Sequence, residues 1–379
     1  MYTKQAELYF ATNRTHEGAS QWSPKRYGKE FSNDGHENLR FGRLDLEYDE
    51  NEVNKCISYQ FKDGRIGDGE SLEGVLGKKN SKIVKIEAYE DHTSEVKELI
   101  AFEKNSSTVF FRNLKEQMMK GVDIVIFIHG YSVSWEDAVA SALSLEMMLN
   151  SKRKNNNKKV KVVLFSWPSD GSKLPWAYRS DRVDARDSGK AFGRAFLKLR
   201  DFLGTLKKNA ESEMERECGS GIHLLCHSMG NYVLQNAMKA KIIGYAESGR
   251  ISRVFDQIFM CAPDVRDDAF EEAGLSRVHE MASNVTIYFN NGDTAMHFSE
   301  RTKNFDDRLG HSGNARPALI HNKVHQVDCS EIIRGFVEHS YYQWATVNED
   351  IQQSIDGVAF DDESRKRKRE AQSREWKMI

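Results

Sequence analysis

Ile222-His223-Leu224-Leu225-Cys226-His227-Ser228-Met229-Gly230 is the stretch on which the reading of this chain turns. The run 222–225 predicts a buried strand, and Asn231-Tyr232-Val233-Leu234-Gln235-Asn236-Ala237-Met238 predicts a helix. A serine in the sharp turn between them has a strained backbone and an Oγ lifted above the sheet, which is the geometry of a nucleophile elbow. Small neighbours matter because strand and helix pass close together at such a turn. Gly230 fits the G-x-S-x-G pattern; Cys226 stands where its first glycine falls, and cysteine is small. Any buried strand can end in an ordinary Ser-Gly turn, so the rest of the chain must supply the chemistry.

Around this turn, strands and helices alternate from residue 122 onward, the mark of a parallel sheet covered on both faces. Asp123–Ile128 reads as a buried strand, Trp135–Leu149 as a helix with Ser134 as N-cap, and Val160–Trp167 as the next strand. A basic, asparagine-rich loop spans Ser151–Lys159. Asp181–Leu206 predicts a long helix with Ala185, Phe192, Phe196 and Leu199 near helical spacing. Two further strands follow at Gln257–Ala262 and Val285–Phe289, then a short one at Val324–Val327 and an aromatic-rich helical region, Tyr341–Val347. Residues 1–115 are less regular, with strand-like runs at 7–12, 39–48 and 81–89 separated by glycine- and charge-rich turns. The glycines at 64, 67, 69, 74 and 77 lack the spacing of a phosphate loop, since Gly77-Lys78 is followed by Lys79. The organisation expected is an N-terminal β-rich extension (1–115) on or beside a catalytic domain (116–355), followed by a charged tail (356–379).

The 379 residues suffice for a large core, and a formal net charge of −2 gives no reason to expect nucleic acid or an anionic membrane as the main partner. Met1–Glu7 lacks the apolar run of a signal peptide, and no apolar stretch is long enough to span a bilayer. Cysteines 56, 218, 226, 261 and 329 are odd in number and widely spaced, which suits reduced thiols in a cytoplasmic protein.

A serine hydroxyl needs a base, an acid that orients the base, and donors for an oxyanion. In the elbow architecture the partners follow in the order Ser, Asp or Glu, His. Asp293, in Asn290-Asn291-Gly292-Asp293, follows the strand ending at Phe289, and His339 lies beyond the last strand. Asp264, in Ala262-Pro263-Asp264-Val265, competes with Asp293 for the acid, although its position also suits the N-cap of a helix starting near Asp267. His129-Gly130-Tyr131-Ser132 follows the strand at 123–128, and a glycine there lets an amide turn toward an oxyanion. Tyr131 and Met229 are the expected donors.

His129-Gly130-Tyr131, Phe165-Ser166-Trp167-Pro168-Ser169-Asp170-Gly171, His227-Ser228-Met229-Gly230-Asn231, Ala262-Pro263-Asp264-Val265 and His339-Ser340-Tyr341 occur in that order. In this the chain resembles the α/β-hydrolase superfamily, specifically a bacterial group of unknown function with esterase- and lipase-like sites. The likeness covers about residues 105–345 and includes Thr12-Asn13-Arg14 near the start. It departs at Cys226 and at Glu338, which replaces the glycine usual before the last histidine. The resemblance implies an α/β-hydrolase fold, a mostly parallel sheet with helices on both faces. It also implies acyl-bond hydrolysis by Ser228, Asp293 and His339, without metal or organic cofactor, on a small-molecule or lipid ester. Acyl transfer by the same site, or a hydrolase fold used as an interaction or sensor module, are the alternatives.

Other residues fit weaker patterns. Trp167, Trp176 and Tyr178 are candidates for an acyl pocket or lid, or for core packing. His321 and His325 are four apart, but Asn322 stands where H-E-x-x-H needs glutamate. Cys226 precedes the elbow tip and is expected to be buried rather than nucleophilic. Arg365-Lys366-Arg367-Lys368-Arg369 reads as a solvated helix end or, less readily, as a polyanion-binding tract.

Overall fold

A single eleven-stranded sheet runs through the chain, and the alternating segments build its centre. The computed structural model describes residues 3–62, 64–77, 81–90, 106–151, 158–172, 175–213, 219–246, 249–271, 274–293, 307–333, 339–369 and 375–379. Cys218, Glu338 and most of the 151–159 loop lie outside them. The strands are β1 (Thr3–Thr12), β2 (Arg14–Glu17), β3 (Arg26–Phe31), β4 (Arg40–Asp49), β5 (Ser81–Ala88), β6 (Val122–Ile128), β7 (Lys159–Ser166), β8 (Ile222–His227), β9 (Phe255–Cys261), β10 (Ala282–Phe289), β11 (Val324–Asp328), β12 (Arg367–Arg369) and β13 (Glu375–Met378). Their order in the main sheet is β12-β13-β11-β10-β9-β8-β6-β7-β1-β4-β5, while β2 and β3 form a separate ribbon. Every pairing from β13 through to β1 is parallel.

The helices are α1 (Glu50–Ile57), α2 (Gly69–Gly77), α3 (Ser106–Met119), α4 (Trp135–Ser151), α5 (Pro175–Glu213), α6 (Gly230–Ala237), the one-turn α7 (Leu309–Ser312) and α8 (Ala345–Ile355). Side chains alternate across each strand, so neighbours on β8 and β9 serve opposite cores. Leu224, Ile258 and Met260 pack with Phe192 and Phe196 of α5 and Val233 of α6. Leu225, Phe259 and Cys261 pack with Leu143 of α4 and Val347 and Ile351 of α8. Each such side chain stabilises the fold by roughly 1.5–3 kcal/mol when fully buried. The chain leaves β6 for β7 on one side and returns to β8 on the other. The strand order therefore reverses at β6, and an open α/β sheet takes its ligands at the carboxyl ends beside such a point.

The N-terminal strands lie beside the central ones and extend the sheet, β1 pairing parallel with β7 and antiparallel with β4. Two other stretches differ from expectation. The glycine-rich stretch read as turns contains α2, whose Gly69 packs so tightly on Gln343 that an added Cβ would lie 2.7 Å from that residue's Cβ. The basic tail is not a solvated helix end. Arg367 lies in β12, and Arg365 and Arg367 are buried. Arg365 Nη1 donates to Asp350 Oδ1 (3.1 Å), Arg367 Nη1 to Asp350 Oδ2 (3.4 Å), and the Tyr288 hydroxyl also donates to Oδ2 (2.6 Å). His325 stacks on Phe360 at 3.7 Å, and the Arg367 guanidinium covers the same ring at 3.5 Å. Lys366, Lys368 and Arg369 are exposed, so the charge run is split between buried and solvent-facing residues.

Asp350→Ala removes the shared carboxylate from two buried guanidinium groups, and removing one partner of a buried ion pair costs about 3–5 kcal/mol. Urea denaturation should show a loss in that range; a loss of under about 1 kcal/mol, the size typical of an exposed pair, would mean that the clasp is solvated.

Candidate active site

The turn expected at Ser228 is built where strand β8 meets helix α6. All six residues of β8 are buried, and Ser228 itself adopts φ +51°, in the left-handed region that non-glycine residues seldom enter. Such a conformation is retained only when the surroundings over-determine it. Here the Ser228 amide donates to the Cys261 carbonyl (2.9 Å), and its own carbonyl accepts from the Asp264 amide (3.1 Å) and the Asn231 amide (3.0 Å). Asn231 Nδ2 reaches the carbonyls of Cys226 (3.0 Å) and Ser228 (3.1 Å). Gly230 is required by proximity, because a Cβ there would lie 2.5 Å from the Ile128 carbonyl oxygen. Cys226 is fully buried and burial pushes its thiol well up, away from the reactive thiolate. The amides of Met229 and Gly230 open α6, where N–H groups have no acceptor within the helix.

His339 and Asp293 are in contact: Nδ1 lies 2.7 Å from Oδ2, and Asp293 is 1% exposed. With Nδ1 held by the carboxylate, Nε2 is the other ring nitrogen, and it is buried without a hydrogen-bond partner among the described residues. Burial is the largest influence on the imidazole and pushes its pKa down. Asp293, by charge and hydrogen bond, and then Asp264, by charge, outweigh it, so the net shift is upward. His339 is also fixed from its backbone. His227 Nε2 lies 3.1 Å from the His339 carbonyl oxygen, and the two rings are 4.8 Å apart. Two residues on, the Tyr341 hydroxyl accepts from the Ala262 amide (3.1 Å) and donates to the Tyr288 carbonyl (2.8 Å), wedging this segment between β9 and β10.

Asp264 is placed differently from both of its expected roles. Residues 267–270 form turns rather than a helix, so there is no helix for it to cap. Its carboxylate accepts from the Tyr178 hydroxyl (2.7 Å) and faces Arg182 (3.5 Å) and Arg308 (3.6 Å). It reaches His339 through its field, whereas Asp293 reaches it by contact.

The loop after β6 comes to the same place. A Cβ on Gly130 would meet the Ser228 Cβ at 3.0 Å and its Oγ at 3.5 Å. Beyond Tyr131, Ser132 has φ +60°, and its amide donates to Asp181 Oδ2 (2.8 Å). The next carbonyl, of Val133, accepts from Arg14 Nη2 (2.9 Å). Arg14 is 1% exposed and also donates to Ser166 Oγ (2.9 Å) and the Gly28 carbonyl (3.1 Å). Thr12 Oγ1 adds a bond to the Ser166 carbonyl (2.7 Å), so Thr12-Asn13-Arg14 is a buried polar clip behind this loop. Burial pushes the Arg14 guanidinium down to about 10, which leaves it charged at neutral pH. Burial and then Arg14 push His129 down to about 3, and burial and then His339 push His227 well down. Both of these rings are therefore neutral.

The three aromatic candidates separate. Trp167 is a core residue whose Nε1 donates to the His129 carbonyl (2.9 Å) and whose ring stacks on His129 at 5.1 Å. Tyr178 is buried beside Asp264, its ring edge-on to Tyr131 at 5.3 Å. Trp176 is 69% exposed and forms no enclosed wall. His321 and His325 are also apart in role, His321 stacking on His279 at 3.9 Å and His325 on Phe360. The roles of Arg14, Asp181 and Arg308 were missed by motif reading, although Arg14 belongs to the Thr-Asn-Arg element quoted for the resemblance.

A parallel sheet whose strand order reverses at β6, with a strained serine turn after β8, defines the α/β-hydrolase class. The chain belongs to the family described as alpha/beta hydrolase of unknown function (DUF900), whose model matches residues 103–352. No curated protein and no solved structure matches the chain. Among the described residues no helix is long and apolar enough to cross a membrane.

Asp293→Asn removes the contact anion and leaves burial to dominate, so the His339 pKa should fall, and by more than in Asp264→Asn; imidazole NMR titration reads both. An equal or larger fall in Asp264→Asn would transfer the main electrostatic role to Asp264. The same pair links stability to pH. A histidine with a pKa raised on folding stabilises fully below its unfolded value, about 6.5, and loses that contribution as pH rises through the folded value. The destabilisation by Asp293→Asn should therefore be larger near pH 5 than near pH 8.

Proposed function

We propose that this protein is a serine hydrolase that cleaves a carboxylic ester, or a related acyl bond, through an acyl-Ser228 intermediate. The observation that carries the reading is the buried Nε2 of His339, without a hydrogen-bond partner among the described residues, on a ring whose Nδ1 is held by Asp293 at 2.7 Å. This is the arrangement a base needs: one nitrogen oriented by an anion, the other open to accept a proton. In this reading Ser228 Oγ attacks the acyl carbonyl as its proton passes to His339 Nε2. The amides of Met229 and Tyr131 receive the oxyanion. Collapse expels the alcohol, which takes the proton from His339. Water then gives a proton to the same nitrogen and attacks the acyl carbon; collapse breaks the acyl–Oγ bond, frees the acid and returns the proton from His339 to Ser228 Oγ. Asp293 remains ionised throughout, holding the tautomer and stabilising the imidazolium.

Competing bases are disfavoured by their surroundings. His129 Nδ1 is engaged with the Gly130 carbonyl (2.8 Å), and His227 with the His339 carbonyl. Tyr178 is proposed to border the site from the Asp264 side, with Trp167 supporting the loop after β6. The chemistry calls for no metal or organic cofactor.

Ser228→Ala should lower kcat on p-nitrophenyl esters by at least ~10³-fold, since no other group replaces the attack. Full activity in a folded Ser228→Ala protein would contradict the reading. The wild-type rate should fall as pH drops through an apparent pKa above the ordinary histidine value of about 6.5, because the protonated ring cannot accept the serine proton. A rate that is flat through this range, or one that His339→Ala leaves intact, would place the base elsewhere.

A further inference from the structure

Two arginines, Arg308 buried and Arg182 half-buried, flank the serine turn. Asp264 is tied by its amide to the Ser228 carbonyl at 3.1 Å, so its side chain starts one hydrogen bond from the nucleophile's backbone. Two arginines face that carboxylate: Arg308 Nε at 3.6 Å from Oδ1, and Arg182 Nη1 at 3.5 Å from Oδ2. Tyr178 already donates to Oδ2 at 2.7 Å. Arg308 is 1% exposed, and its Nε and Nη2 have no hydrogen-bond acceptor among the described residues. A guanidinium stripped of water is costly unless its donors are matched, and one shared carboxylate does not match five N–H groups. Arg182 is held in place over the Tyr232 ring at 3.6 Å, and its Nη1 also reaches the Asp264 carbonyl (3.2 Å). Among the described residues, Asp264 is the carboxylate within ion-pair distance of both guanidinium groups. It lies at the carboxyl ends of β8 and β9, the edge where such a sheet takes its ligands.

We propose that Arg308 and Arg182 bind an anionic group on the substrate, a carboxylate or a phosphate, and so hold its scissile carbonyl over Ser228. The inference rests on the reading of Ser228 as nucleophile and makes the preferred substrate an acidic ester rather than a neutral lipid. A planar guanidinium grips either anion through paired N–H groups, which supplies both affinity and orientation.

Calorimetry on the Ser228→Ala protein tests the site without turnover, using glutarate, inorganic phosphate and the neutral glutaramide. Glutarate or phosphate should bind while glutaramide does not, and Arg308→Gln or Arg182→Gln should weaken that binding by at least ~10-fold. Which anion binds distinguishes the two sources of charge. Arg182→Gln carries the test if Arg308→Gln does not fold. Binding of neither anion, or equal binding in folded variants, overturns the proposal and leaves Arg308 as a counter-ion to Asp264. On the active enzyme, kcat/KM for monomethyl glutarate should exceed that for methyl pentanoate by at least ~10-fold, and Arg182→Gln should shrink the ratio. Equal turnover of the two esters also overturns it. If neither ester is cleaved while glutarate binds Ser228→Ala, the hydrolase reading fails and the anion site stands.

Discussion

The close passage of the Ser228 turn over the end of β6 is the constraint on which the rest of the site depends. Gly230 sits against the Ile128 carbonyl, and Gly130 sits against Ser228 itself. Two glycines facing one another across adjacent strands allow a left-handed serine and a sharply turning loop to share the same few ångströms. A side chain at either position would push the loop after β6 away from the serine. The strain at φ +51° is held by bonds to three partners: the Cys261 carbonyl, the Asp264 amide and the Asn231 side chain. None of these bonds is made by a group that the proposed chemistry consumes, so the turn is a platform that exists before any substrate arrives.

Around that platform the supporting groups are polar and buried, which sets them apart from the apolar cores on the two faces of the sheet. Arg14 braces the loop after β6 from behind, Tyr341 wedges the His339 segment between β9 and β10, and His227 ties down the His339 carbonyl. Each connects residues far apart in sequence. Polar contacts of this kind fix geometry more than they add net stability, because each also loses its hydration. The expected consequence is a rigid site on a fold whose overall stability comes from the Phe, Leu and Val layers.

The centre of the fold was legible because its signals are local. Strand–helix alternation, apolar runs and a serine flanked by small residues identify β6 to β11 and the elbow without reference to anything distant. The order Ser228, Asp293, His339 is likewise readable, and His339 Nδ1 lies 2.7 Å from Asp293 Oδ2. What was not legible depends on partners elsewhere in the chain. Arg365 and Arg367 look like solvent-facing charge until Asp350 and Phe360 are brought against them. Trp176 and Tyr178 are two residues apart and look alike, yet helical geometry turns one outward and the other onto Asp264. Asp264 resembles an N-cap because aspartates and an alanine follow it, but the segment after it is pinned by the backbone of residues 307–310, with Leu309 donating to Val265. Helix α2 was hidden by its three glycines, residues that usually disfavour a helix; one of them, Gly69, permits close contact with Gln343.

Covalent capture tests the central claim most directly. A fluorophosphonate reacts only with a serine made nucleophilic by its base, and tryptic mass spectrometry locates the adduct. The account predicts stoichiometric modification of Ser228 in the wild-type protein and almost none in a folded His339→Ala variant. An unmodified protein, or an adduct on any other residue, would contradict it.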